Sequence, residues 1–170
     1  MVNQEDHKKN IHTISLFVSN KPGVLVRIAL VFSRRGYNID SLVVSPAFDA
    51  RFSRMTVTAQ GDPEILDQII KQAAKLVDVI HVGEHTDEDA VHCELALIKV
   101  KSTSSNKVIL NKLIKKYHAR VIDSGKDYIV IEKAGITAKL NEFELLLKKY
   151  TVLEMVRSGK IVMAKGRDQT

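Results

Sequence analysis

Asn20-Lys21-Pro22-Gly23 is the stretch of this sequence whose residue types and order best fit ligand chemistry. It interrupts an alternating apolar run and leads straight into a helical pattern that begins at Val24. The first backbone N–H groups of a helix lack internal partners and lie at the positive end of its dipole, which suits a carboxylate. Gly23 has no side chain, so a ligand can approach the backbone closely there. The Asn20 amide offers an oxygen to an ammonium group and an N–H to a carboxylate. Val24 and Leu25 add aliphatic surface. Carboxylate, ammonium and aliphatic contacts together describe a small apolar amino acid. The same four residues also make an ordinary turn before a helix. Asn38, after Gly36-Tyr37, reads on its own as a residue tolerant of the left-handed region.

Other chemistry is sparse. No glycine-rich phosphate loop, zinc-spaced cysteine pair or nucleophile-elbow serine occurs, so no catalytic residue, bound cofactor or metal site is expected on this chain. His81-Val-Gly-Glu-His85 has the spacing of a two-histidine ligand pair, with Asp87, Asp89 and His92 nearby. That spacing joins two ligands only on a helix, whereas His81 reads as strand and His85 as linker. Cys93 is the only cysteine and sits in an apolar run, where it reads as core filler. A single cysteine excludes an internal disulfide and fits a reducing, cytoplasmic setting.

The net charge of +6 is scattered as Arg34-Arg35, Lys115-Lys116, Lys148-Lys149 and single residues, without a basic block, so no nucleic-acid partner is expected. Apolar stretches such as Ile28–Phe32 are too short to span a bilayer, and Met1–Asn10 lacks an apolar signal core, so no membrane is expected either. Hydrophobic content of 45% against 27% charged fits a soluble globular protein.

The elements that must hold the Asn20–Gly23 turn form one half of a repeat. Ile14, Leu16 and Val18 alternate with polar residues as a half-buried strand. Val24–Arg35 follows as a helix with Leu25, Ile28, Ala29 and Phe32 on one face, stopped by Gly36. Tyr37–Val44 and Phe52–Gln60 read as strands. Asp62-Pro63 opens a helix that buries Ile65, Ile69, Ala73 and Leu76, and Val77–Val82 returns as a strand. The order then recurs: strand Glu94–Val100, then helix Asn106–Tyr117 with Ile109, Leu110, Leu113, Ile114 and Tyr117 inward. Strands Ala119–Asp123 and Tyr128–Glu132 follow, then a helix capped by Thr137 that carries Leu140, Phe143, Leu147 and Tyr150. Val152–Val156 closes the unit, and Ile161–Ala164 adds a strand. Ile39-Asp40-Ser41 reappears as Ile122-Asp123-Ser124 in the second copy.

Two βαββαβ units of this length are an α+β chain of two tandem ferredoxin-like domains. The expected organisation is a flexible tail over 1–10, a first domain over 11–84, an acidic linker over 85–91 and a second domain over 92–166. In Val24–Phe32 only Arg27 is polar, so Val24, Val26, Leu30 and Val31 form a surplus outside the stripe already used. A helix apolar nearly all round is buried on more than one side, and the expected cover is a second copy of the same domain, with the chain's own C-terminal half as the alternative.

Ser19-Asn-Lys-Pro-Gly-Val-Leu-Val-Arg27, Phe32-Ser-Arg-Arg-Gly-Tyr-Asn-Ile-Asp-Ser-Leu42, Ser53-Arg-Met-Thr56, Lys75-Leu-Val-Asp-Val79 and Val156-Arg-Ser-Gly159 together resemble the acetolactate synthase small-subunit family, over about Ile11 to Gly166. The resemblance implies that the first unit is an ACT domain. It also implies a dimer of ACT domains binding a branched-chain amino acid, usually valine, at the interface. Asn20, Pro22, Gly23, Val24 and Leu25 of one chain would then meet Asn38 and Ile39 of the other. Many relatives lack proline before this glycine; Pro22 should stiffen the loop and keep the site.

The resemblance further implies a non-catalytic regulatory role in valine, leucine and isoleucine biosynthesis. The chain would activate the catalytic large subunit and confer feedback inhibition on it. Thiamine diphosphate, magnesium and FAD would belong to that large subunit. The second copy has Ser102-Thr-Ser-Ser-Asn106 where the first has its Pro-Gly turn, so it is expected to bind no amino acid there. A stand-alone amino-acid-binding ACT module is the alternative. An ACT-type transcriptional regulator is another, but neither copy leaves room for a helix-turn-helix.

Overall fold

A computed structural model describes residues 11–167 and residue 170; the tail expected over 1–10 lies outside the described residues. The first sheet is built from β1 (Ile11–Ser19), β2 (Ile39–Pro46), β3 (Phe52–Gln60) and β4 (Val79–His85), with α1 (Val24–Ser33) and α2 (Pro63–Ala73) in the two crossovers. Its strands run in the order β2-β3-β1-β4, every pair antiparallel. Ile14, Leu16 and Val18 of β1 and Met55, Val57 and Ala59 of β3 share one core with Ile28 and Phe32 of α1 and Leu66 and Ile69 of α2. Period-two alternation in the strands against period-3.6 stripes in the helices gives both layers one apolar side. Asp62 caps α2 as expected, its carboxylate accepting from the Glu64 N–H at 2.8 Å ahead of Pro63.

The second sheet repeats the plan with β5 (Ala90–Lys101), β6 (Arg120–Ser124), β7 (Tyr128–Gly135) and β8 (Val152–Arg157), joined by α3 (Lys107–Lys116) and α4 (Thr137–Leu147). The order is β6-β7-β5-β8, and β9 (Ile161–Ala164) pairs with β5. Ile98, Ile131, Leu110, Leu140, Phe143 and Leu147 form its core. Both edge strands carry a bulge at the repeated Ile-Asp-Ser text, between Ile39 and Ser41 and between Val121 and Asp123.

Several expectations need correction. The stretch 85–91 is not a free linker: β4 ends at His85, and β5 begins at Ala90. Thr86–Asp89 make a turn in which the Asp89 carboxylate accepts from the Thr86 N–H at 2.9 Å, and the Thr86 hydroxyl from the Glu88 N–H at 3.3 Å. Polar residues that read as a linker here satisfy turn backbone instead. By contacts the chain divides into one compact unit up to Val91 that includes Val162–Thr170, and another over His92–Ile161.

On α2, Leu66 is buried where Ile65 was expected, and on α3 Ile109 is exposed. Thr137 is the first helical residue, not the cap; Ile136 precedes it, and the Thr137 hydroxyl donates to the Glu94 carboxylate.

Candidate functional site at the start of helix α1

Gly23 is the N-cap of α1 and holds a φ of 83°, a left-handed conformation that glycine adopts without steric cost. It brings no capping side chain, so the helix start stays open. The Val24 N–H reaches back to the Lys21 carbonyl at 3.4 Å, and the Arg27 N–H takes the Gly23 carbonyl at 3.1 Å. The N–H groups of Leu25 and Val26 lie in the first turn, where no helical carbonyl precedes them. The turn itself is pinned at both sides. The Ser19 N–H donates to the Asp78 carbonyl and the Asn20 N–H to the Arg51 carbonyl, each at 2.8 Å.

Asn20 is exposed, and its Nδ2 donates to the Ala50 carbonyl at 2.9 Å. One amide donor is thereby committed within the fold, and Oδ1 is left as the acceptor that suits an ammonium group. Pro22 is exposed beside it. Val24 departs from the expectation: it is 2% exposed and packs in the core with Ile28, Val31 and Phe32. That stripe, at i, i+4, i+7 and i+8, buries four large side chains, whereas the expected one used Ala29. The rotation removes Val24 as a ligand surface and turns Leu25, Val26 and Leu30 outward, 41%, 61% and 45% exposed. Leu25 is the aliphatic group left beside the turn.

Asn38 and Ile39 lie past the other end of α1. Asn38 is exposed, with Nδ2 donating to Asp40 Oδ1 at 3.4 Å. Ile39 is half-buried as the first residue of β2. With Ala29, Phe32, Ser33, Gly36 and Tyr37 they line an open depression of about 510 Å³. Ten helical residues span about 15 Å. The Gly23 turn and Asn38 therefore stand too far apart, within one chain, to hold the same small ligand.

Two further residues belong to the Gly23 end. Arg27 Nε and Nη2 donate to Asp78 Oδ2 at 3.1 and 2.5 Å. Arg27 Nη1 lies 3.1 Å from where a Cβ on Gly23 would stand. The signals were a lone base in an apolar helix and a lone acid in Leu76-Val-Asp-Val-Ile80; nothing in the text links positions 51 residues apart. In the second unit the equivalent helix start likewise has no side-chain cap. Asn106 precedes α3, its Oδ1 accepting from the Thr103 N–H at 2.8 Å and its Nδ2 donating to the Lys101 carbonyl at 3.0 Å.

Ser15 Oγ and His85 Nε2 are 2.6 Å apart, and His85 Nδ1 is 3.8 Å from Asp89 Oδ1, an order resembling a hydrolase triad. Ser15 is only 2% exposed, so no substrate carbonyl reaches its hydroxyl. His81 and His85 both belong to β4, His85 not to a linker; four residues along a strand separate them by about 13 Å, too far for one ion. Among the described residues no group of three His, Cys, Asp or Glu is close enough to hold a metal, and no helix is long and apolar enough to cross a membrane. Cys93 is half-buried, with Sγ 3.6 Å from the Glu94 carbonyl.

The two units match two family descriptions. Residues 14–81 match the AHAS small subunit-like ACT domain, and residues 93–166 match the small subunit of acetolactate synthase. A probable acetolactate synthase small subunit of Archaeoglobus fulgidus is 40% identical over 155 residues, 91% of this chain and 97% of that one. The acetolactate synthase small subunit of Mycobacterium bovis is 37% identical over 91% of this chain and 92% of its own. The crystal structure of the acetolactate synthase small subunit from Thermotoga maritima superposes with a TM-score of 0.84 at 34% identity, covering 94% of this chain and 99% of that one.

Proposed function

The chain belongs to the acetolactate synthase small-subunit family, and from that premise we propose that it senses a branched-chain amino acid for a separate catalytic subunit. In this reading two ACT units pair, and the effector, valine in the first instance, binds between them. The observation that carries it is the separation of the two half-sites to opposite ends of α1. A two-fold contact between antiparallel α1 helices brings the Gly23 turn of one chain to Asn38 and Ile39 of its partner, twice over. The outward Leu25, Val26 and Leu30 supply an apolar surface for that contact. Strand β2, which follows the same helix in the chain, lies at an edge of its sheet, with backbone groups open to pairing.

Each ligand group then has a partner. The carboxylate meets the Leu25 and Val26 N–H groups, the ammonium meets Asn20 Oδ1, and the side chain lies on Leu25 and the partner's Ile39. The chain performs no chemistry itself. Thiamine diphosphate, magnesium and FAD belong to the large subunit, which this chain activates and, with effector bound, inhibits, in a cytoplasmic complex. The link is thermodynamic: an effector shifts the complex only by its differential affinity for the two states.

A complementation experiment tests the shared site. Gly23→Asp and Asn38→Ala each remove one half and should abolish valine binding in calorimetry. In a refolded 1:1 mixture every mixed dimer holds one intact site, so about a quarter of all sites should return. No recovery, or undiminished binding by either variant alone, contradicts a site shared between chains.

A further inference from the structure

We infer that Arg27 supplies the cation for the effector carboxylate at the Gly23 helix start, a role that rests on the amino-acid-sensing reading above. A positive side chain one turn into a helix sits at the unfavourable end of the dipole, and Arg27 stands there in an otherwise apolar run. Its charge is offset by Asp78, whose side chain is largely buried. Asp78 grips one edge of the guanidinium, Nε and Nη2, through the single oxygen Oδ2. A planar guanidinium has five donors in a fixed fork, so a grip on one edge orients the other.

That other edge ends in Nη1, 3.1 Å from where a Cβ on Gly23 would stand. The absence of a side chain at position 23 therefore does two things: it permits the left-handed turn, and it lets Nη1 approach the Gly23 backbone closely. A carboxylate received by the Leu25 and Val26 N–H groups lies within reach of this nitrogen. Arg27 is about half exposed, so the guanidinium meets an incoming ligand without being uncovered first. The pair with Asp78 holds Arg27 in place and offsets its charge while the site is empty. Arg27 is then a ligand-binding residue, and Asp78 positions it.

The test separates a carboxylate contact from a structural tie between α1 and β4. Valine is titrated into the full chain by calorimetry, and its carboxylate-free analogue valinamide is measured by the rise in melting temperature at high concentration. Arg27→Gln should weaken valine at least about tenfold, the scale of a hydrogen bond to a charged group, and leave the valinamide response unchanged. Arg27→Lys keeps a point charge without the fork and should fall between parent and Arg27→Gln for valine alone. If Arg27→Gln does not fold, the valine-to-valinamide ratio in Arg27→Lys decides. Equal loss of both ligands makes Arg27 a structural residue and overturns the inference, as does parental valine affinity in Arg27→Gln. If the parent chain binds neither ligand, the sensing reading falls as well.

Discussion

Leu30→Lys tests the α1 surface on which the proposed shared site depends. Leu25, Val26 and Leu30 remain 41%, 61% and 45% exposed in the single chain. Full burial of such a side chain contributes about 1.5–3 kcal/mol, so covering the exposed half contributes about 1 kcal/mol each. Three residues on each of two chains give about 6 kcal/mol from this patch. A two-fold interface counts every substitution twice. Leu30→Lys therefore removes about 2 kcal/mol, which raises the dimer dissociation constant about 30-fold, and two facing ammonium groups raise it further. The fold of the monomer should be untouched, because lysine is a good helix former and a positive charge is favourable in the last turn. Sedimentation equilibrium of the full chain measures the constant, and calorimetry the valine affinity, which should fall with it. A dissociation constant within about threefold of the parent, with valine binding intact, refutes the assignment of α1 as the contact.

Gly23→Asp should leave folding and dimerisation in place, at a strain of about 1–2 kcal/mol from the positive φ, while a carboxylate at the helix start excludes the effector's own. Unchanged valine affinity by calorimetry rejects the site. Burial, then the charges of Asp62 and Glu84, raise the Tyr37 phenol above its ordinary value of 10.0. A raised folded value means that its stabilising contribution is whole below pH 10 and is lost as pH rises through the folded value. Melting temperatures between pH 9 and 12 should therefore fall more steeply for the parent than for Tyr37→Phe; parallel curves contradict this. Phe143 is fully buried, so Phe143→Ala should destabilise the second unit by about 3–5 kcal/mol, read as a shifted calorimetric transition. A shift under about 1 kcal/mol would mean that the core around α4 is misplaced.

Much of the fold was legible because local signals agreed with each other. Alternation at Ile14, Leu16 and Val18, the Asp62-Pro63 cap and the doubled βαββαβ order all point to the same two sheets. The errors have a common source in apolar text too uniform to carry a phase. Within Val24–Phe32 nearly every residue is apolar, so periodicity could not choose between the Val24 and Leu25 stripes; packing four large side chains against β1 and β3 chose the former. Leu66 displaced Ile65 in the same way. Acidic residues 85–91 read as linker because turn-forming and unstructured polar segments share a composition. At the site, Pro22-Gly23 announced the turn and the open helix start. The bond between Arg27 and Asp78 was not legible: each stands out as a lone charge in an apolar run, but nothing local pairs two residues 51 positions apart.

Mixing this chain with an acetolactate synthase large subunit, with and without valine, tests the central claim most directly. The chain alone should make no acetolactate and should raise the large subunit's rate, and valine should then lower that rate in the mixture but not for the large subunit by itself. A large subunit whose rate and valine response are the same with and without this chain would contradict it.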